Sequence, residues 1–151
     1  MKKEYFRMTK KQLLSLLASS NLIGEKRPNV KNSEDAVKTA ATVITNWQQE
    51  NFVVIYLDAA GHPIDTRVIF IGTLNQSLVH PRETFAPAIE LRAASVILAH
   101  NHPAGTPDPS AEDLAVTKRL IESGKILGIE VLDHVIITVD SHYSFRQSGL
   151  I

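Results

Sequence analysis

The chain has 151 residues, of which 44% are hydrophobic, enough for one globular domain with a sizeable core and an N-terminal extension. Sixteen basic and sixteen acidic residues cancel to a formal net charge of zero, so we expect no bulk electrostatic attraction to nucleic acid or to an anionic membrane. The sequence contains no cysteine, which excludes disulfides, thiolate nucleophiles and cysteine-based zinc sites.

Residues 1–30 are expected to form a helical extension and a linker, followed by a single domain over residues 31–151. A cluster of leucines between residues 13 and 17 predicts a short amphipathic helix for packing or docking. This apolar run is too short to span a bilayer, and it lacks the features of a signal peptide, so we expect a cytoplasmic protein.

Residues 32–50 predict an amphipathic helix that is capped by Asn32 or Ser33. Its apolar positions recur at helical spacing as far as Trp47, which we expect to anchor the core. Glu50 would then lie at the end of this helix, where its negative charge opposes the helix macrodipole. Such an unfavourable position hints at a function, although exposed glutamates at helix ends are common.

The remaining elements alternate between strands and helices. We predict strands over 52–57 and 64–71, joined by a turn at 58–61, and then a helix that begins at Pro81 with a kink at Pro87, or that begins nearer Thr84. A strand over 95–99, a helix from 111 to 124, a strand over 129–139 and a short strand over 143–146 follow. This order predicts an α/β domain with a mixed β-sheet and helices on both faces.

The richest stretch for chemistry begins where the strand over 95–99 ends. Side chains alternate along a strand, so His100 and His102 should share one face while Asn101 points the other way. A proline-rich loop over 103–109 follows and excludes regular structure.

Ser110 is expected to cap the next helix and to place Asp113 in its first turn. Two imidazoles and one carboxylate that converge at such a junction form a plausible zinc ligand set. Three protein ligands leave a fourth position for water, whose pKa zinc lowers from about 15.7 to about 7.

Each of these residues also has an ordinary structural explanation. Ser110 and Asp113 have the spacing of a capping box, and a lone histidine at a strand end is usually structural. The His-x-His pattern and the Ser-x-x-Asp spacing both fall within the fourteen residues 100–113, and this combination favours the zinc site.

This stretch resembles the JAMM zinc signature of the JAB/MPN domains, which is His-x-His, seven residues, Ser, two residues and Asp. The chain is most similar to the bacterial RadC-like branch of that family, over roughly residues 30–151. The similarity is carried by Gly-Thr-Leu at 72–74, His-Pro-Arg-Glu at 80–83, Ile-Leu-Ala-His-Asn-His-Pro at 97–103 and Val-Leu-Asp-His at 131–134.

The resemblance implies a cytidine-deaminase-like JAB/MPN fold and a zinc-dependent hydrolase of JAMM type. It implies His100, His102 and Asp113 as ligands of Zn²⁺, Ser110 as the group that stabilises the oxyanion, and Glu50 as the general base. The substrate would be a peptide or protein, cleaved at a peptide or isopeptide bond.

Two alternatives remain open at this point. The domain could be a noncatalytic, zinc-stabilised interaction module, or a protein associated with DNA repair. The resemblance implies a helix-hairpin-helix region ahead of this domain in full-length RadC-like proteins, which we do not expect within residues 1–30, and this weakens the inference of DNA binding. Asp133 and His134 are adjacent in a predicted strand and face opposite ways, so we expect them to be a structural pair at the sheet edge.

Overall fold

The computed structural model describes residues 29–73 and 79–151, which form three helices and five strands. In chain order these elements are α1 (Ser33–Ala41), β1 (Asn51–Leu57), β2 (Pro63–Ile71), α2 (Pro81–Glu90), β3 (Ser95–Asn101), α3 (Ala111–Leu127), β4 (Glu130–Ile137) and β5 (His142–Ser144). The helix predicted around residues 13–17 lies outside the described residues. None of the described helices has the length and apolar character needed to cross a membrane.

The five strands form one mixed sheet in the order β2-β1-β3-β4-β5. Strand β1 is antiparallel to both β2 and β3, β3 is parallel to β4, and β4 is antiparallel to β5. The predicted α/β class and mixed sheet are therefore confirmed. The parallel β3–β4 pair is joined by α3, as a parallel connection requires a crossover.

Every residue of β1 and β3 is buried, because helices cover both faces of the sheet. On one face, Phe52 and its alternate neighbours in β1 pack with Phe85 of α2 and Leu120 of α3. On the other face, Val53 and its alternate neighbours pack with Ala36 of α1. The predicted placement of helices on both faces is confirmed.

The first helix is shorter than the sequence pattern predicted. It ends at Ala41 with Thr42 as its C-cap, and Trp47, expected in the core, is 41% exposed. The four residues 42–45 are Thr, Val, Ile and Thr, whose branched side chains disfavour the helix. The prediction that Glu50 ends a helix is therefore wrong, and Glu50 directly precedes β1 in irregular backbone.

Helix α3 is longer than predicted. It passes through Gly124 and ends at Leu127, where Gly128 caps it in the left-handed conformation at φ 70°. Gly124 has ordinary helical geometry, and a Cβ there would collide with the backbone oxygen of Ile129 and crowd Phe85. The two glycines thus serve different purposes, and the left-handed one marks the helix end.

Candidate metal centre

The two histidines of the motif lie at the end of the central strand β3. His100 is fully buried and pairs in register with Phe52 of β1 and Ile136 of β4. His102 follows the strand end, and its backbone N–H donates to the carbonyl of Ile137 at 2.9 Å. Neighbouring strands on both sides therefore fix the backbone that carries both imidazoles.

Asp113 reaches these histidines from the first turn of α3, where it is part of a capping box. The Ser110 hydroxyl accepts from the Asp113 backbone N–H at 3.1 Å. Both the backbone N–H and the hydroxyl of Ser110 donate to Asp113 Oδ2 at 2.7 Å. The ordinary capping interpretation is correct, and the same contacts orient the carboxylate towards the histidines.

The three side chains converge closely. His100 Nε2 lies 3.2 Å from Asp113 Oδ1, and His102 Nε2 lies 3.5 Å from Asp113 Oδ2. The two imidazole Nε2 atoms are 2.9 Å apart, and one ligand atom from each of the three residues lies within 4.8 Å of the others. His100, His102 and Asp113 could therefore hold a metal ion.

The electrostatics of the cluster favour a cation. Burial acts to raise the pKa of the Asp113 carboxyl, but the hydrogen bonds with His100 and His102 outweigh it and hold that pKa well below its usual range. The hydrogen bond to Asp113 raises the pKa of His102. Burial lowers the pKa of His100 despite the nearby carboxylate. The site therefore combines a stable anion with one imidazole that burial keeps neutral.

The donor set fits zinc in chemistry and in spacing. His102 Nδ1 lies 2.7 Å from the carbonyl oxygen of Thr106, which can only accept, so Nδ1 carries the proton and Nε2 of the neutral ring has a lone pair. Imidazole nitrogen and carboxylate oxygen are ordinary zinc ligands. Their separations of 2.9–3.5 Å bracket the roughly 3.3 Å edge of a tetrahedron built from bonds of about 2.0–2.1 Å.

The cluster opens onto a solvent-accessible cavity of about 590 Å³. Its lining includes all but the most buried of the motif residues together with the predicted base, and consists of Glu50, Thr73, His102, Ala104, Thr106, Asp108, Ser110, Glu112 and Asp113. Glu50 therefore lines the same cavity as His102 and Asp113, and a loop and not the predicted helix carries it there.

A network around Asn101 holds the loop that carries Glu50. The Asn101 side-chain oxygen accepts from the Asn51 backbone N–H at 2.8 Å, and its amide nitrogen donates to the Gln49 carbonyl at 2.9 Å. Asn101 points away from His100, as strand alternation predicted. The residue between the two histidines therefore anchors both neighbours of Glu50.

His134 contributes to the surroundings of the cluster, which was not predicted from the sequence. This fully buried residue of β4 places its Nε2 2.7 Å from His100 Nδ1 and its Nδ1 2.5 Å from Thr117 Oγ1. Burial lowers the pKa of its imidazole well below the ordinary value. One available signal was a histidine directly before the apolar residues 135–137, in a strand that follows a crossover helix.

The predicted pairing of Asp133 with His134 at the sheet edge is only half correct. Their side chains do face opposite ways, and Asp133 Oδ2 accepts from the Ser144 hydroxyl at 2.6 Å. However, β4 lies inside the sheet between β3 and β5. His134 therefore belongs to the surroundings of the metal centre, while Asp133 holds the edge strand.

Comparison with known proteins agrees with this geometry. A protein-family model described as a RadC-like JAB domain matches residues 30–150. A UPF0758 protein of Shouchella clausii is 47% identical over 123 residues, which is 82% of this chain and 54% of that protein. A UPF0758 protein of Bacillus cereus strain B4264 is 48% identical over 125 residues, which is 83% of this chain and 56% of that protein.

This chain spans about half the length of these relatives. The family match covers the described elements from α1 to β5 and includes the histidine and aspartate cluster. The fold, the sequence match and the cluster agree, and the chain belongs to the RadC-like JAB domain family.

Proposed function

We propose that this chain is a zinc-dependent hydrolase of JAMM type that acts on peptide or isopeptide bonds. The observation that carries the proposal is the convergence of His100, His102 and Asp113 on one point at the wall of an open cavity. Glu50 and Ser110, which could serve as base and as hydrogen-bond donor, line the same cavity. No other grouping in residues 29–73 and 79–151 combines three potential ligands in this way.

The proposed chemistry divides the work between the cluster and Glu50. A zinc ion held by the two histidines and Asp113 would lower the pKa of a coordinated water to about 7 and polarise the scissile carbonyl. Glu50 takes the proton from the attacking water and returns it to the leaving nitrogen. A positioned carboxylate of this kind typically contributes about 10²–10⁴-fold to the rate.

Ser110 is proposed to donate its hydroxyl hydrogen to the oxyanion that forms at the substrate carbonyl. In the structure this hydrogen is directed at Asp113 Oδ2, 2.7 Å away. A turn of the hydroxyl towards the cavity would leave Asp113 Oδ2 with the hydrogen bond from the Ser110 backbone N–H, also 2.7 Å. The carboxylate would thus stay oriented while the hydroxyl stabilises developing charge.

The edge of the sheet supports a peptide as the substrate. Among the strands of the described residues, the nine-residue β2 is the outer one beside β1, and Thr73, two residues beyond its end, lines the cavity. An extended peptide that paired with the outer side of β2 would be led towards the cluster. The backbone hydrogen bonds of such pairing would supply affinity without requiring a particular sequence.

Hydrolysis by zinc-loaded protein tests the proposal. The parent, with its metal content measured, is incubated with internally quenched peptide libraries and with a matched set of lysine isopeptides. We expect cleavage by the parent and a loss of about 10²–10⁴-fold in Glu50→Gln, which should still bind zinc. Glu112→Gln is the matched control, because Glu112 lines the same cavity and loses the same charge. Equal activity of parent and Glu50→Gln would refute the role of Glu50.

A noncatalytic, zinc-stabilised interaction module is the second candidate. It is favoured by the engagement of the Ser110 hydroxyl with both the helix N-terminus and Asp113, which makes the cluster complete as a structural unit. This function predicts zinc binding and stabilisation by zinc, with no cleavage of either substrate set. The hydrolysis experiment therefore distinguishes the two candidates directly.

A further inference from the structure

We propose that His134 and Thr117 are positioning residues that fix the ring tautomer of His100, so that its Nε2 presents a lone pair to the metal. The inference rests on the zinc binding proposed above, and it goes further by assigning a role to two residues outside the motif. Both are buried on the side of His100 that faces away from Asp113's carboxylate.

Hydrogen bonds connect His100 to His134 and His134 to Thr117. Their donors and acceptors follow from the last contact in this series, between Thr117 and a backbone carbonyl. Thr117 Oγ1 lies 2.6 Å from the backbone oxygen of Asp113, one helical turn earlier in α3. A carbonyl oxygen has no hydrogen to donate, so the Thr117 hydroxyl donates its single hydrogen there. Thr117 Oγ1 must then act as the acceptor in its contact with His134 Nδ1, at 2.5 Å.

His134 passes this direction on to His100. With a proton on Nδ1, the neutral His134 ring has a lone pair on Nε2, and full burial favours the neutral ring over the imidazolium. That lone pair lies 2.7 Å from His100 Nδ1 and requires a donor there. His100 therefore carries its proton on Nδ1 and leaves Nε2 bare on the side of Asp113.

The hydrogen bonds from His100 to His134 and from His134 to Thr117, here called the relay, disfavour the other tautomer of His100 in the metal-free protein. If His100 carried its proton on Nε2, it would donate that proton to Asp113 Oδ1, 3.2 Å away. The hydrogen bond between His100 and Asp113 would then occupy both atoms that are needed to bind a metal. The same tautomer would put the lone pairs of His100 Nδ1 and His134 Nε2 against each other at 2.7 Å in the core. With its proton on Nδ1, His100 instead directs the Nε2 lone pair towards His102 Nε2 at 2.9 Å and Asp113 Oδ1 at 3.2 Å, where a metal ion would accept from all three atoms. Asp113 contributes to both sides, because its carboxylate faces the metal position and its backbone carbonyl anchors the relay.

The two histidines of the cluster thus have their tautomers set in the same sense by different means. His102 Nδ1 donates directly to the carbonyl of Thr106 at 2.7 Å. His100 Nδ1 reaches a carbonyl through His134 and Thr117. Partners of this kind, which hold a ligating imidazole by its second nitrogen, typically change metal affinity by about 10–100-fold when they are mutated.

The test compares Thr117→Val with Thr117→Ser. Valine has nearly the shape of threonine and lacks the hydroxyl, whereas serine keeps the hydroxyl and loses a methyl group. The dissociation constant for Zn²⁺ is measured by chelator competition, and we expect Thr117→Val to bind about 10–100-fold more weakly than the parent. We expect Thr117→Ser to retain most of the parent affinity.

A spectroscopic measurement separates tautomer control from packing. Long-range ¹H–¹⁵N spectra of the zinc-free protein report which ring nitrogen of each histidine is protonated. We expect the Nδ1–H form of His100 in the parent and in Thr117→Ser, and a substantial Nε2–H population in Thr117→Val. A residue that only filled space would leave the tautomer unchanged.

A second pair of variants acts at His134 itself. His134→Phe removes both ring nitrogens, whereas the amide oxygen of His134→Gln can still accept from His100 Nδ1. We expect zinc affinity to be weakened in the phenylalanine variant and partly rescued in the glutamine variant, by at least threefold relative to phenylalanine.

The inference is overturned if Thr117→Val binds zinc like the parent and keeps the Nδ1–H form of His100. Its failure is distinguishable from failure of the proposed function. If the zinc-loaded parent cleaved neither substrate set, the proposed function would fail, and the zinc affinities and histidine tautomers would still decide the inference.

Discussion

The side-chain oxygen of Asn101 lies 2.8 Å from the backbone nitrogen of Asn51 and accepts its hydrogen bond. This contact joins the residue between the two cluster histidines to the residue that follows Glu50. A single amide therefore links the strand that carries the metal ligands to the loop that carries the proposed base.

We expect Asn101→Ala to weaken the fold and to leave zinc binding intact. The variant leaves the buried Asn51 N–H without this acceptor, which should lower the free energy of unfolding by about 1–3 kcal/mol in urea titrations. Zinc content should stay at the parent level, because the Asn101 side chain faces away from His100. Any Glu50-dependent hydrolysis should fall as the loop loses its anchor.

Asn29→Ala is the control for Asn101→Ala. Asn29 makes an exposed side-chain hydrogen bond to the Ala60 carbonyl at 2.9 Å, so its loss should change stability by less than about 0.5 kcal/mol. If the two alanine variants were equally stable, the anchoring role of Asn101 would be wrong.

Ser110→Ala should affect both helix stability and metal affinity. The loss of an N-cap hydroxyl typically costs about 0.5–2 kcal/mol, and Asp113 Oδ2 would also lose one of its two hydrogen bonds from Ser110. We expect weaker zinc binding in chelator competition as well as a lower unfolding free energy.

The matched variant is Asn32→Ala at the N-cap of α1, whose side chain accepts from the Asp35 N–H at 2.9 Å. It should show a similar stability loss with unchanged zinc affinity. A parallel loss of zinc affinity in both variants would mean that capping in general, and not the orientation of Asp113, is responsible.

Removal and addition of zinc should change the stability of the parent. A ligand that binds only the folded state at 100 times its dissociation constant adds about 2.7 kcal/mol to the unfolding free energy. We expect thermal unfolding of the chelator-treated parent to shift upwards on addition of Zn²⁺, and His102→Ala to abolish the shift.

His62→Ala serves as the histidine control for that experiment. His62 is partly exposed and pairs with Asp58 at 3.3 Å, outside the cluster. Its variant should respond to zinc like the parent. A zinc response that persisted in folded His102→Ala would place the metal elsewhere.

Gly124→Ala should be more destabilising than Gly128→Ala, although alanine is the better helix former. A Cβ at Gly124 would collide with the Ile129 carbonyl, and overpacking of this kind typically costs about 1–3 kcal/mol or more. At Gly128 a Cβ would meet no atom within 4 Å, and only the left-handed backbone, about 1–2 kcal/mol, opposes it. Denaturant unfolding of both variants checks the order.

Local patterns were sufficient for most of the fold because they depend on neighbouring residues. The run of apolar residues over 52–57 indicated a strand buried on both faces, and β1 is buried at every position. The extent of the helices was harder to predict. Helical spacing continued to Trp47, yet the branched residues after Ala41 ended α1 and left Trp47 exposed.

In the candidate site, too, some features followed from local sequence patterns and others did not. The spacing from His100 to Asp113 predicted the cluster, because strand alternation and the first turn of a helix are local geometries. Glu50 was predicted to lie at the end of a helix, and that helix does not extend so far. Its actual support is the amide of Asn101, fifty residues away from Asn51 in sequence.

By itself, the sequence determined the α/β class, the strand that ends in two histidines, and a capped helix that presents an aspartate to them, since these follow from periodicities of two and 3.6 residues. Only the tertiary structure decided which groups stand behind the cluster. His134 reaches His100 because β4 is parallel to β3 after the α3 crossover, and strand order within a sheet depends on packing between distant segments, which no local pattern encodes.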